Sequence, residues 1–177
     1  MRILLLGGSK SGKSMLAQTL SRTLAGSGTM YYWATMEPTD AEDEQRIARH
    51  LTERDGWGFH TVECGRNLPA ACQKLERQST ILFDSVTACL ANEMFGEKLD
   101  AEAAKRTLNE VLTVSKFPAH FVCVCDEIWR DGESYDEWTE CYRRGLAQIC
   151  RGLAEQFDAV CEVTAGICRL WKGELPK

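Results

Sequence analysis

The residues with the clearest chemical meaning form one short motif near the start of the chain. Residues 7–14 read Gly-Gly-Ser-Lys-Ser-Gly-Lys-Ser, the GxxxxGK[ST] pattern of a phosphate-binding loop, called the phosphate loop below. Its glycines let the backbone curl around phosphates so that N–H groups point at the negative oxygens. A chance glycine-rich turn is the alternative, but it does not require Lys and Ser at the last two positions. The predicted nucleotide contacts are Gly7, Gly8, Ser9, Lys10, Ser11, Gly12, Lys13 and Ser14.

A carboxylate for a magnesium ion is the next requirement of such a site. Lys13 supplies a mobile cation, and Ser14 can place its hydroxyl on Mg²⁺. Asp84 is the first acidic residue after the apolar run 81–83, where phosphate-loop enzymes keep a carboxylate for the metal. We therefore expect Ser14 and Asp84 to hold Mg²⁺. The alternative is that Asp84 or Ser85 only caps the helix that follows.

A basic face with one histidine is the third candidate. Arg46, Arg49, His50 and Arg54 lie on a predicted helix over residues 40–54, and their spacing puts them on neighbouring positions. A neutral imidazole beside arginines could attack phosphorus and form a covalent phosphoramidate, with the guanidinium groups stabilising the developing charge. The spacing alone leaves open that this face is solvated and paired with nearby acids.

Apolar periodicity places these motifs on alternating strands and helices. This pattern predicts an α/β fold: a single P-loop NTPase (RecA-like) domain over residues 1–177, with a mostly parallel sheet flanked by helices and a C-terminal hairpin. Ligands of such sheets bind at the carboxyl ends of the strands, where Gly7, Glu63 and Asp84 are expected to meet. The predicted strands are 3–6, 29–34, 59–63, 80–83, 120–125, 159–164 and 168–171, and the predicted helices are 15–25, 40–54, 70–77, 86–95, 100–115 and 135–157.

Composition narrows the class of protein. The net charge of −5 and the lack of a Lys/Arg-rich block argue against a nucleic-acid partner. No stretch approaches the roughly 20 apolar residues needed to cross a bilayer, so we expect no membrane span and a cytoplasmic protein. The nine cysteines form no CxxC pair. Because Cys123, Cys125 and Cys161 lie in strand-like runs, we expect them to be buried thiols.

Several separated motifs together resemble the bifunctional adenosylcobinamide kinase and adenosylcobinamide-phosphate guanylyltransferase family of cobalamin synthesis. The resemblance spans nearly the full length, and its Arg-Ile-Ala-Arg-His segment is far more specific than the phosphate loop, which many unrelated proteins share. It is carried by the phosphate loop, Tyr32-Trp33-Ala34-Thr35, Arg46-Ile47-Ala48-Arg49-His50, Thr61-Val62-Glu63, Ile81-Leu82-Phe83-Asp84-Ser85-Val86-Thr87, Thr164-Ala165-Gly166-Ile167 and Lys172-Gly173.

The resemblance implies two reactions. ATP or GTP phosphorylates adenosylcobinamide with the help of Lys13, and His50 then takes GMP from GTP and passes it to adenosylcobinamide phosphate, giving adenosyl-GDP-cobinamide. The resemblance also implies a homo-oligomer, and a cleft between subunits is a plausible place for the corrinoid. Further nucleotide contacts are implied at Ala34, Thr35, Met36, Leu51, Thr52, Glu53, Arg54, Glu63 and Asp84, with Met36 standing where a small hydroxyl residue is more usual.

Two segments depart from the family pattern. Many members carry Asn-Glu-Val-Gly where this chain has residues 126–129, Asp-Glu-Ile-Trp, and a Gly-Arg-x-Asn-Gln stretch is replaced at residues 147–151. The departures fit either a divergent subgroup with the same reactions or a changed handling of the corrinoid. Two other functions stay open at this point. One is a kinase of another small metabolite with an inert His50, and the other is a nucleotide-operated switch, although the Asn-Lys-x-Asp element of such switches is missing from the sequence.

Overall fold

The computed structural model describes residues 1–38, 48, 52, 55–96, 98–130 and 132–176. Within them, seven strands form one sheet in the order β3-β2-β4-β5-β1-β6-β7. The pairs from β3 through β6 are parallel, and only β7 runs antiparallel to its neighbour. The predicted α/β fold with a mostly parallel sheet and a C-terminal hairpin is therefore confirmed. The strands are β1 (Arg2–Gly7), β2 (Met30–Ala34), β3 (Phe59–Glu63), β4 (Thr80–Asp84), β5 (His120–Asp126), β6 (Ala159–Thr164) and β7 (Ile167–Lys172).

Helices cover both faces of the sheet, which is why the central strands read as continuous apolar runs. In β1, Ile3 and Leu5 pack in a core that includes Ala17 and Leu20 of the first helix, whereas Leu4 packs in the core on the opposite face. Three longer helices contribute to that second core. The helices are α1 (Lys13–Ala25), α2 (Leu68–Cys72), α3 (Val86–Met94), α4 (Ala103–Ser115) and α5 (Glu137–Gln156).

Two helices begin at residues other than those predicted, and the side chains at their first turns explain why. Helix α2 begins at Leu68 because Pro69 suits the first turn of a helix. Helix α5 begins after Asp136, whose carboxylate accepts hydrogen bonds from the backbone N–H groups of Trp138 and Thr139. The predicted helix over 40–54 lies outside the described residues except for Ala48 and Thr52. Both of these are helical, and the Thr52 hydroxyl donates to the Ala48 carbonyl at 3.1 Å.

The cysteine prediction was wrong at one position. Cys123 and Cys125 are fully buried thiols, as expected, and burial raises the pKa of each well above its usual value. Cys161 instead forms a disulfide with Cys168. The antiparallel pairing of β6 with β7 brings their Cα atoms to 6.2 Å, which is within the range that a disulfide spans.

Among the described residues, none of the helices combines the length and the hydropathy that a bilayer span requires.

Candidate active site at the carboxyl edge of the sheet

The phosphate loop joins the centre of the sheet to helix α1. Strand β1 ends at Gly7, and α1 begins at Lys13. A Cβ atom on Gly7 would lie 2.4 Å from the carbonyl oxygen of Val163, so no side chain fits there. Gly12 caps α1 with φ at +95°, a conformation that side chains rarely adopt. Two of the three glycines in the motif are thus required by packing and by backbone conformation.

The hairpin turn between β6 and β7 supports this loop from one side. Ala165 and Gly166 both have positive φ, 51° and 79°, as a tight two-residue hairpin requires. The Gly166 N–H donates to the Ser11 carbonyl at 2.8 Å. A Cβ on Gly12 would stand 3.3 Å from the Gly166 Cα, so the two glycines pack closely. The turn therefore fixes the second half of the phosphate loop, a role that the sequence did not reveal.

Lys13 is held at the mouth of the loop by two oxygen atoms. Its Nζ donates to the Gly8 carbonyl at 3.0 Å and pairs with Asp126 Oδ1 at 2.6 Å. Asp126 ends β5 and lies opposite Gly7 in the register of β1 and β5. Sequence reasoning missed Asp126 as a site residue. The signal was present, since Asp126 is the first acidic residue after an apolar run, as Asp84 is.

The structure separates the two roles that the sequence left open for residues 84 and 85. The Ser85 hydroxyl accepts a hydrogen bond from the Ala88 N–H at 3.2 Å and so caps α3. The Asp84 carboxylate ends β4 and accepts a hydrogen bond of 2.5 Å from the buried hydroxyl of Tyr32. Capping therefore belongs to Ser85, and Tyr32 orients the Asp84 carboxylate.

The strand order decides which predicted site residues come together. Strand β5 lies between β4 and β1, so the ends of β4 and β1 are two strand spacings apart, about 10 Å. Asp84, Asp126 and the phosphate loop thus share the centre of this edge. Glu63 ends the edge strand β3, four spacings from Gly7 or about 19 Å. It belongs to the same edge, as predicted, but to its far side.

The segment after β2 is tied to the segment after β4 by one buried hydroxyl. Thr35 is fully buried, and its Oγ1 both accepts from the Ser85 N–H and donates to the Ser85 carbonyl, each at 2.7 Å. The Asn92 amide also donates to the Thr35 carbonyl at 2.6 Å. The flanking residues Ala34 and Met36 are half-buried. The Thr35 side chain therefore supports the edge of the sheet through the backbone at Ser85.

Part of the predicted site falls outside the described residues. His50, Leu51, Glu53 and Arg54 lie there, together with the arginines at 46 and 49. The exposed Thr52 is described. The roles implied for the others remain predictions from the sequence.

A family model and two curated proteins match nearly the whole chain. A family model described as cobinamide kinase / cobinamide phosphate guanyltransferase matches residues 3–170. The bifunctional adenosylcobalamin biosynthesis protein CobP of Pseudomonas aeruginosa is 31% identical over 179 residues, which cover 98% of this chain and 99% of that protein. The bifunctional adenosylcobalamin biosynthesis protein CobU of Salmonella typhimurium is 28% identical over 182 residues, covering 94% and 97%.

Two solved structures share the fold at low sequence identity. The flagellar accessory protein FlaH of Methanocaldococcus jannaschii superposes with a TM-score of 0.52 at 13% identity, over 98% of this chain and 78% of that one. A prototypical ATPase of the type III secretion system of pathogenic bacteria gives a TM-score of 0.54 at 14% identity, over 92% of this chain and 51% of that one. These matches confirm the predicted P-loop NTPase fold and nothing more specific.

Proposed function

The chain belongs to the cobinamide kinase / cobinamide phosphate guanyltransferase family, and from that premise we propose that it carries out both reactions on adenosylcobinamide. The observation that carries the proposal is the joint presence of a family match over residues 3–170 and an intact phosphate loop whose lysine lies at the mouth of the loop. The first reaction is phosphorylation, and the second is transfer of GMP to the phosphate so formed.

In the kinase step, the aminopropanol hydroxyl oxygen of adenosylcobinamide forms a bond to the γ-phosphorus of ATP or GTP. The bond from that phosphorus to the β–γ bridging oxygen breaks, so that ADP or GDP leaves, and the hydroxyl proton is released. The loop amides and the N-terminus of α1 bind the phosphates, and Lys13 neutralises charge on the transferred group. The contacts of Gly166 and Val163 keep the loop in its curled form. This preorganisation is what positions the nucleotide for an in-line transfer.

A magnesium ion fits the donors available at this edge. The hydroxyl of Ser14 and the carboxylate of Asp84 are hard oxygen ligands of the kind that Mg²⁺ prefers. The buried Ser11 hydroxyl is among the few side-chain atoms without a partner in the described part of the chain, which agrees with a loop built to receive a polar ligand. When bound, Mg²⁺ would neutralise the phosphate oxygens. Ser14 and Asp84 are the residues that would hold it.

In the second step, we assign His50 as the nucleophile. An imidazole nitrogen forms a bond to the α-phosphorus of GTP, the bond to the β-phosphate bridge breaks, and pyrophosphate leaves. The phosphate of adenosylcobinamide phosphate then displaces the histidine, giving adenosyl-GDP-cobinamide. This assignment rests on the Arg-Ile-Ala-Arg-His segment, and the neighbouring arginines would stabilise the charge on the oxygens.

Labelling with GTP tests the covalent step. Incubation with α-labelled GTP and Mg²⁺ should leave acid-labile label on the wild-type protein, whereas a His50→Ala variant should lose essentially all of it. His60→Ala is the matched control, since His60 is an exposed histidine on β3, and it should label like the wild type. Equal labelling of His50→Ala would exclude His50 as the nucleophile.

A product assay with adenosylcobinamide separates this function from a kinase of another metabolite. The proposed enzyme converts adenosylcobinamide to its phosphate with ATP and then to the GDP derivative with GTP. A protein that releases ADP only with some other alcohol, and forms no covalent adduct, would be the other kinase.

The setting of the reaction follows from the size of the corrinoid. A large, flat ligand exceeds what one domain of 177 residues encloses, so we propose a homo-oligomer with the corrinoid in a cleft between subunits. We also propose that it works in the cytoplasm, where ATP and GTP are available. Sedimentation at micromolar concentration checks the oligomer, and a monomer that is fully active would contradict it.

A further inference from the structure

The ion pair between Lys13 and Asp126 bears on the rate of phosphoryl transfer as well as on nucleotide binding. We propose that Asp126 is a positioning residue for phosphoryl transfer, which holds the Lys13 ammonium in place and thereby lowers nucleotide affinity while raising turnover. The carboxylate contacts the cation at 2.6 Å, directly beside the loop that would receive the phosphates. The turnover part of this inference rests on the proposed kinase activity, and the affinity part needs only nucleotide binding.

The backbone around Asp126 fixes where its carboxylate begins. The Asp126 N–H donates to the Thr87 hydroxyl at 2.8 Å, which ties it to the segment after β4. The next residue, Glu127, donates its N–H to the Gly7 carbonyl at 3.0 Å, which ties it to the start of the phosphate loop. Helix α3, which follows β4, and strand β1 therefore locate Asp126. A short side chain on so fixed a backbone is a rigid anchor.

Lys13, in contrast, carries its charge on a flexible four-carbon stem. Its ammonium has three N–H bonds, and the Gly8 carbonyl and Asp126 account for two of them. The third can therefore donate to a phosphate oxygen while the first two hold the ammonium in place. Anchoring of this kind raises the fraction of time that the cation stands where the transferred phosphoryl needs it.

The same carboxylate opposes the arrival of a nucleotide. The Lys13 side chain is 8% exposed and that of Asp126 is 31% exposed, so water screens this pair less than a surface pair. A phosphate that approaches Lys13 meets the Asp126 charge within a few ångströms. Removing that charge should tighten nucleotide binding and, because the anchor is weakened, slow the transfer.

The Asp126→Asn variant tests both effects, since an amide keeps the size and one acceptor oxygen but removes the charge. Calorimetric titration with Mg·ATP should give a Kd about threefold to tenfold lower than that of the wild type. The kcat for phosphorylation of adenosylcobinamide should fall about threefold, because the amide oxygen, which many family members have at this position, still accepts a hydrogen bond from the ammonium but holds it less firmly than a carboxylate does. Asp126→Glu restores the charge and should return the Kd to near the wild-type value and recover part of kcat.

Glu127→Gln is the matched control, because it removes the same charge one residue further along. The Glu127 carboxylate pairs with Arg130 at 2.8 Å. Its loss should leave the Kd for Mg·ATP within about twofold of the wild type, since Arg130 rather than Lys13 compensates the Glu127 charge. Melting temperatures of all variants establish that they are folded.

Three results would overturn the role of Asp126. These are an Asp126→Asn variant with unchanged Kd and kcat, one with weaker binding of Mg·ATP, and an Asp126→Glu variant as impaired as Asp126→Asn. If the wild-type protein binds Mg·ATP but phosphorylates no adenosylcobinamide, the proposed function fails on its own. The Kd values then still decide whether the Asp126 charge opposes nucleotide binding.

Discussion

At the scale of single residues, Thr35 shows how one buried hydroxyl stabilises the edge of the sheet that carries the candidate site. Its Oγ1 accepts from the Ser85 N–H and donates to the Ser85 carbonyl, which also accepts from the Cys89 N–H. Ser85 follows Asp84 and caps α3 with its own side chain. The position of the Asp84 carboxylate thus depends on the hydroxyl of Thr35, which directly follows the neighbouring strand β2.

Replacing Thr35 by valine should reveal this dependence. The Thr35→Val variant leaves the buried Ser85 N–H without its partner and removes one of the two hydrogen bonds that the Ser85 carbonyl accepts, the other coming from the Cys89 N–H. We therefore expect the free energy of unfolding to fall by about 1–3 kcal/mol. Urea unfolding measures the change. Thr113→Val is the control, since the exposed Thr113 hydroxyl only bonds the Asn109 carbonyl within its own helix, and it should cost less than about 0.5 kcal/mol. Equal losses for the two variants would refute the supporting role of Thr35.

The residues of the site could be predicted to different degrees. Lys13 and Asp84 could be predicted as site residues because each has a local signature, a motif in one case and the end of an apolar strand in the other. Asp126 has the second signature too, but residues 126–129 were interpreted as a departure on the acceptor side. Its pairing with Lys13 depends on β5 lying beside β1, and strand order is not written in local sequence. Its role therefore required the structure.

At the scale of elements, the hairpin β6–β7 links the last part of the chain to the phosphate loop. The disulfide Cys161–Cys168 closes a segment with a sequence separation of seven residues. Closing a loop of this size removes chain entropy worth about 2–3 kcal/mol from the unfolded state. The turn that it constrains donates the Gly166 hydrogen bond to Ser11. Stability and nucleotide binding should therefore both respond to this disulfide.

A Cys168→Ser variant removes the disulfide between β6 and β7 and changes only one atom of the side chain. We expect its free energy of unfolding to fall by about 2 kcal/mol and its Kd for Mg·ATP to rise several-fold, because the Gly166 turn is held less firmly. Urea unfolding and calorimetry without reductant measure these changes. Reduction of the wild type should have the same effect, and Cys141→Ser, at a half-buried free cysteine, should have little. A variant as stable as the wild type would contradict the argument.

The elements themselves were largely predictable. Apolar and aromatic runs predicted all seven strands, and the central ones read as continuous apolar runs because the sheet is covered on both faces. What failed was the pairing of Cys161. A strand-like apolar context indicated a buried thiol, and only the hairpin register brings Cys168 within disulfide distance.

At the scale of the whole molecule, the arrangement concentrates the site where the sheet is most constrained. Strand β1 is hydrogen-bonded on both sides, by β5 and β6, and it leads directly into the phosphate loop. Helix α1 and the helices α3 to α5 pack on opposite faces. Lys13, Asp84 and Asp126 thus lie on different elements, α1, β4 and β5, and the shared sheet holds them near one another.

This continuity predicts that residues 1–177 unfold as one cooperative unit. Calorimetry should show a single transition, and Mg·ATP at about 100 times its Kd should stabilise the whole protein by about 2.7 kcal/mol, since only the folded state binds. A Lys13→Ala variant should lose most of that shift, whatever its own melting temperature. Two transitions, with only one of them moved by Mg·ATP, would contradict the single unit. Such a result would mean that an edge strand, β3 or β7, melts independently of β1. Their continuous hydrogen-bonded connection to β1 through the strands between them argues against this.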